Sequence, residues 1–230
     1  MLWNRKLSQR TRLRRKNLRR LLIESLDQRL PLAANFVKDI NLFDAGGTKT
    51  GGAVEVNGTL FFRASNGING YELWKSDGTD AGTVLVKDIR SGTSGSLPFY
   101  LTNVNGTLFF RADNGINGQE LWKSDGTDAG TVMVKDINSG AAASTPGILT
   151  NVNGTLFFTA NNGTTGYELW KSDGTDAGTV LVKDIRSGLS TSSPRHLTNV
   201  NGTLFFSANN GTNGQELWKS NGTDAGTVLV

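Results

Sequence analysis

Three sets of side chains in this 230-residue chain have the type and spacing to do chemistry. Glu72, Glu120, Glu168 and Glu216 recur every 48 residues, each directly before Leu-Trp-Lys. A carboxylate beside an aromatic ring suits acid/base work on a sugar, but that work needs two groups tuned differently, and four equivalent copies supply no asymmetry. Asp77 and Asp80 recur as Asp125 with Asp128 and as Asp173 with Asp176, inside "SDGTDAGT". The run is reminiscent of a calcium loop, yet it lacks the alternate-position ligands and the late bidentate Glu of an EF-hand. An Asx-turn, in which the Asp side chain accepts backbone N–H bonds within a tight Gly-rich turn, accounts for it without a cation. Asn221 replaces the first Asp in the fourth copy, and an amide accepts the same bond without the charge a cation needs. His196 is the only histidine, so a Ser/His/Asp triad would have to use it; other copies place Tyr100 and Ile148 there, and it reads as an incidental loop residue. No catalytic residue, metal ligand or cofactor-binding residue is expected, and the chain reads as no enzyme.

Composition narrows the classes further. There is no cysteine, which excludes disulfides, thiolate metal sites and cysteine nucleophiles. The formal charge of +4 divides unevenly: residues 1–35 carry ten Lys or Arg against two acids, and residues 36–230 carry fourteen against eighteen. The array is therefore mildly acidic and offers no smooth basic face, so nucleic acid is not an expected partner. In the tail, no apolar run is long enough for a secretory h-region or a transmembrane segment. Leu13, Leu18, Leu21, Leu22 and Leu26 could line one side of a cationic helix over residues 10–29, stopped by Pro31; a disordered basic extension is the alternative.

The elements that position the repeated residues follow from one copy, residues 99–137. Leu101 to Val104 reads as a strand, Asn105-Gly106 as a two-residue hairpin turn and Thr107 to Ala112 as the returning strand. Glu120 to Lys123 is a third strand with alternating faces, and Val132 to Ile137 a fourth, joined by "SDGTDAGT". The Asn-Gly-Thr sequons at Asn57, Asn105, Asn153 and Asn201 are explained by that hairpin without sugar; Asn221 carries a fifth. Four short antiparallel strands per 48 residues make one blade, a period between those of WD40 and kelch propellers. A lone blade cannot bury both faces, so copies stack, with Phe109, Phe110, Leu121, Trp122, Val132 and Val134 expected to fill the interblade core. The fold class is all-β: a β-propeller-like array of four four-stranded antiparallel blades over residues 36–230, with residues 1–35 a separate basic targeting or processing segment. "VKDI" at residues 37–40 looks like a ring-closing strand, yet the fourth copy brings its own last strand, so an incomplete or open ring that self-associates through a free sheet edge is expected.

Differences between copies point to where a ligand would sit. The interblade connections "RSGTSGSLPFY", "NSGAAASTPGI" and "RSGLSTSSPRH" vary, which makes Arg90, Phe99, Tyr100, Arg186, Arg195 and His196 the candidate ligand-facing residues. Two more columns vary too, Arg63/Arg111/Thr159/Ser207 and Tyr71/Gln119/Tyr167/Gln215, and neutral drift at exposed positions accounts for all of these differences at least as well.

"ELWKSDGTDAGTVLVKDI" resembles the ELWxxDGT repeat of large bacterial exported proteins, some labelled hyalin-like, over residues 37–230. "ESLDQRLPLAA" is similar to the LEPR-XLL segment of such proteins through Glu24, Leu26, Arg29, Leu32 and Ala34. These resemblances imply a sorting signal followed by a secreted or cell-surface repeat protein, extracytoplasmic in location. The leading functional expectation is non-enzymatic adhesion or ligand binding, with an extracellular protein or glycan as partner; the alternative is a fragment of a carbohydrate-active propeller enzyme.

Overall fold

The computed structural model describes residues 41–42 and 52–230. The expected targeting segment at residues 1–35 and the "VKDI" at residues 37–40 lie outside them. Among the described residues there is no helix, and hence none long and apolar enough to cross a membrane.

The all-β expectation holds. After β1 (Asn41–Leu42), the first blade is built from β2 (Val54–Val56), β3 (Thr59–Ser65), β4 (Glu72–Ser76) and β5 (Val84–Lys87). The second has β6 (Phe99–Val104), β7 (Thr107–Asp113), β8 (Gln119–Ser124) and β9 (Val132–Lys135). The third has β10 (Gly147–Val152), β11 (Thr155–Asn161), β12 (Tyr167–Ser172) and β13 (Val180–Lys183), and the fourth β14 (Arg195–Val200), β15 (Thr203–Asn209), β16 (Gln215–Ser220) and β17 (Val228–Leu229). Each blade is an antiparallel meander in sequence order, and the four sheets form an open array of a β-propeller. The Asn-Gly turns adopt the geometry such hairpins need, with φ of 49° at Asn105 and 83° at Gly106.

The first strand of each blade is innermost: β10 packs against β6 on one side and β14 on the other. Side-chain amides lace these strands together, Asn103 Nδ2 donating to the Glu55 carbonyl at 3.0 Å and Asn151 Nδ2 to the Asn103 carbonyl at 3.3 Å. In blades 2 to 4 the inner strand carries a bulge; in β6 the register shifts between Phe99 and Thr102. Blade 1 builds the same edge from two pieces, because β2 pairs with the start of β3 while Asn41 and Leu42 of β1 pair with Ser65 and Ala64 at its end. This is the one departure from four strands per blade.

Alternation along the strands sends successive side chains to opposite neighbours. Val104, Phe109, Leu121, Val134 and Ile137 of blade 2 face Leu156, Phe158, Ala160 and Trp170 of blade 3 in one apolar layer. Phe110 and Trp122 point the other way, into the layer shared with Val56, Phe61 and Leu73 of blade 1. Leu121 and Phe110 are fully buried, as the interblade packing requires. Val132 is the exception among the residues expected there: it lies beyond the register shift in the β8–β9 pairing and is exposed, leaving Val134 to do the packing.

Candidate functional site

The repeated carboxylates are structural. Glu120 is fully buried at the start of β8 and accepts from the Ile137 N–H at 3.0 Å, the Ser144 N–H at 2.9 Å and the Ser144 hydroxyl at 2.5 Å. Those donors belong to the irregular connection leading to the next blade, where no sheet partner satisfies the backbone. Glu72 and Glu168 repeat the arrangement with Ser96 and Ser192. Burial pushes Glu120 and Glu168 up to about 7, against the hydrogen bonds that pull them down, and raises Glu72 as well. Glu216 is exposed.

The aspartates are equally accounted for. Asp125 Oδ1 accepts from the Thr127 N–H at 2.8 Å and the Thr127 hydroxyl at 2.7 Å, and these bonds hold its carboxyl below the usual range. Asn221 makes the same two bonds at 3.0 Å and 2.8 Å in the fourth copy. A Cβ on Gly130 would fall on the Asp125 carboxylate, so the last glycine of the motif is there for room. Ser124 Oγ and Thr131 Oγ1 bridge the two ends of the turn at 2.7 Å. Lys75 reaches across to the next blade and donates to the Gly126 carbonyl at 2.8 Å. The conserved-looking sentence "ELWKSDGTDAGT" is thus consumed by turn closure and by interblade contacts.

Only non-repeated groups remain for recognition, and the structure sorts them. Arg90 forms an ion pair with Asp113 at 2.8 Å, linking blades 1 and 2, and Arg186 packs over Gly211 in the corresponding place between blades 3 and 4. Arg195 and His196 are exposed at the start of β14. Phe99 and Tyr100 do something different. The Phe99 ring lies beneath the Arg63 guanidinium at 3.9 Å and near that of Arg111 at 5.2 Å, and the Tyr100 ring is 5.1 Å from Arg111. Tyr71 adds a third ring 5.8 Å from Arg63. Tyr167 of blade 3, on the far side, shares a 2.5 Å hydrogen bond with the Thr145 hydroxyl.

This arginine–aromatic cluster spans three blades. Arg63 is only 2% exposed, and burial holds its pKa below the ordinary range, with Tyr71 opposing and Arg111 adding a like charge. Arg111 is likewise lowered by burial, with Tyr100 and Tyr167 opposing. Among the described residues, the Arg111 guanidinium has ring faces for neighbours and makes no hydrogen bond or ion pair, its Nε being buried without an acceptor. The sheet aims these groups through its bulges. Tyr100 holds a φ of 58° and Ile148, its counterpart in blade 3, a φ of 54°. A β-branched residue in the left-handed region is strained by about 1–3 kcal/mol, tolerated where the surroundings over-determine it. The kink seats Phe99 opposite Arg111 in the ladder and turns Tyr100 toward Gly147.

Of the six candidate residues, then, two join a site, two brace blades and two lie exposed. Arg63, Arg111, Tyr71 and Tyr167 join the cluster from the two further varying columns. Their signal was that both columns change residue class between copies, Arg to Thr or Ser and Tyr to Gln. A separate cleft of about 240 Å³ between blades 3 and 4 is lined by motif residues such as Asn153, Lys171 and Gly222, and Lys171 there already donates to the Gly222 carbonyl.

No protein-family model matches the chain, and no curated protein does. Among solved structures, the fold is similar to "Crystal structure of puromycin hydrolase", with a TM-score of 0.52 and 13% identity, covering 81% of this chain and 30% of that one. A complex of its S511A mutant gives a TM-score of 0.48 and 15% identity. The chain therefore spans about a third of the length of the hydrolase it resembles, and the likeness establishes the propeller fold. It also counts against the expectation of a non-enzymatic adhesion or ligand-binding array: a solved structure that shares this fold is that of a hydrolase, which favours the enzymatic alternative.

Proposed function

We propose that this chain is the propeller of a carbohydrate-acting enzyme, with substrate seated on the cluster of Arg63, Phe99, Tyr100, Arg111 and Tyr167. The observation that carries the reading is that unlike groups from three blades converge there, whereas the repeated Glu72, Glu120 and Glu168 and the first Asp of each turn are engaged in holding the fold. Aromatic faces suit the C–H faces of sugar rings, and the Thr145 and Tyr167 hydroxyls suit their O–H groups. No carboxylate joins the cluster among the described residues, so proton transfer at this site falls to tyrosine phenols rather than to a pair of acids. Likeness of fold to a hydrolase supports the enzymatic part, and the resemblance to exported ELWxxDGT arrays supports an extracytoplasmic setting.

The test is turnover of an oligosaccharide panel by the whole chain, with product release followed by chromatography. Cleavage of at least one member is expected, and Tyr100→Ala should lower kcat/KM at least tenfold while leaving the melting temperature within a few degrees. No turnover across the panel would sink the enzymatic reading.

A further inference from the structure

We propose that the Arg111 guanidinium is a carboxylate receptor, and that the sugar bound at the cluster is a uronic acid. The inference rests on the site named above and specifies its substrate class. Arg111 is a half-buried cation between two rings, with no acceptor among the described residues. A half-buried charge that no acceptor faces is left short of solvation, and the ring faces make up only part of that deficit. The Arg63 guanidinium stacks at 3.9 Å on the same Phe99 ring that Arg111 faces, and the Arg111 charge beside it disfavours its own. An anion entering here relieves both terms, and the guanidinium fork matches a carboxylate in a bidentate pair.

The surroundings select the anion. Tyr100 is half-buried with its ring 5.1 Å from the guanidinium, and the exposed Tyr167 lies near enough to bear on the same charge, so a ligand whose charge reaches Arg111 meets a phenol ring. The Tyr167 and Thr145 hydroxyls add a donor–acceptor pair at the rim. A small inorganic anion uses the guanidinium and nothing else. A pyranose bearing its carboxylate on the ring uses all three features together.

The asymmetry between copies fits this reading. Thr159 takes the place of Arg111 in blade 3, and Gly147 the place of Phe99, so the strip loses both cation and ring after blade 2. Blade 4 has Ser207 opposite Arg195, which is exposed. One receptor is therefore built, and it lies where blades 1, 2 and 3 meet.

Titration calorimetry on the full chain tests the proposal with oligouronates of galacturonic, glucuronic and mannuronic acid, each beside its methyl ester, which keeps ring and linkage but removes the charge. At least one oligouronate should bind, and esterification should weaken it tenfold or more. Arg111→Gln should lose the acid form by a similar factor and close the gap between acid and ester, and Arg111→Lys should fall between, since an ammonium keeps the charge but not the fork. Excess sulfate should compete only weakly. Equal binding of acid and ester overturns the carboxylate receptor and leaves the carbohydrate reading standing; binding of neither form overturns both; binding without turnover keeps the receptor and removes the enzyme. Should Arg111→Gln fail to fold, the acid–ester comparison decides the matter on the unaltered chain.

Discussion

Glu120 has both carboxylate oxygens committed to a connection that no strand supports, and that gives the fold a pH dependence. Burial pushes its carboxyl up to about 7 in the folded protein, as it does that of Glu168, against 4.5 for an ordinary glutamate. The folded state thus holds more protons between those values, so the stability linked to them is complete below about pH 4.5 and lost as pH rises through about 7. Thermal melts from pH 5 to pH 8 should show a falling melting temperature that levels above pH 8. Replacing both residues by Gln, the neutral near-isostere of the protonated acid, should flatten that slope; a slope that survives the double substitution places the titration elsewhere. The turn makes a second prediction at this scale. Asp125→Asn should change stability by no more than about 0.5 kcal/mol, because Asn221 makes the same bonds in the fourth copy. Gly130→Ala should cost about 1–3 kcal/mol, because its Cβ lands on the Asp125 carboxylate. Equal costs in denaturant titration would mean that the turn relaxes around the added methyl.

A blade is a two-faced element, and the energetic role of a residue depends on whether a neighbour covers its face. Leu121 and Leu217 occupy the same position in the motif, yet Leu121 is fully buried against blade 3 and Leu217 is 51% exposed. Leu121→Ala should therefore cost about 2–5 kcal/mol and Leu217→Ala under about 1 kcal/mol. Trp122→Ala, which empties a large aromatic site between blades 1 and 2, should cost about 3–5 kcal/mol. Equilibrium unfolding of the three variants checks the orientation of the stack; similar costs for the two leucines would show that blade 4 is covered in solution.

At the scale of the whole array, the outer face of blade 4 carries the apolar pattern that every other blade buries. Val200 is 46% exposed and Val230 is 65% exposed, where Val104 and Val134 in blade 2 are each within a few per cent of complete burial. An apolar face of this kind, at the end of a stack, invites a second copy. Light scattering should show the chain associating at micromolar concentration, and Leu217→Lys should return it to a monomer without loss of fold. A strictly monomeric wild-type chain would exclude that face as an interface.

How much of this was readable from the letters follows from what each feature depends on. The 48-residue period, the Asn-Gly hairpins, the alternating strands and the Asx-turns are local: Asn105-Gly106 determines its turn and Asp125 closes its own loop whatever the rest of the chain does. Stacking also followed from sequence, since a sheet with two apolar faces needs two neighbours. The functional cluster did not, because it depends on a register shift between Phe99 and Thr102 that no pattern of period two encodes. That bulge carries Phe99 to Arg111 and, across the seam between blades, to Arg63, 36 positions earlier in the chain. Glu120 was visible as a repeated acid, but only the packed connection revealed that its oxygens were already taken. Local hydrogen bonding and hydrophobic alternation are written residue by residue; which side chains meet across blades is decided by strand register and burial, and these exist only once the blades have packed.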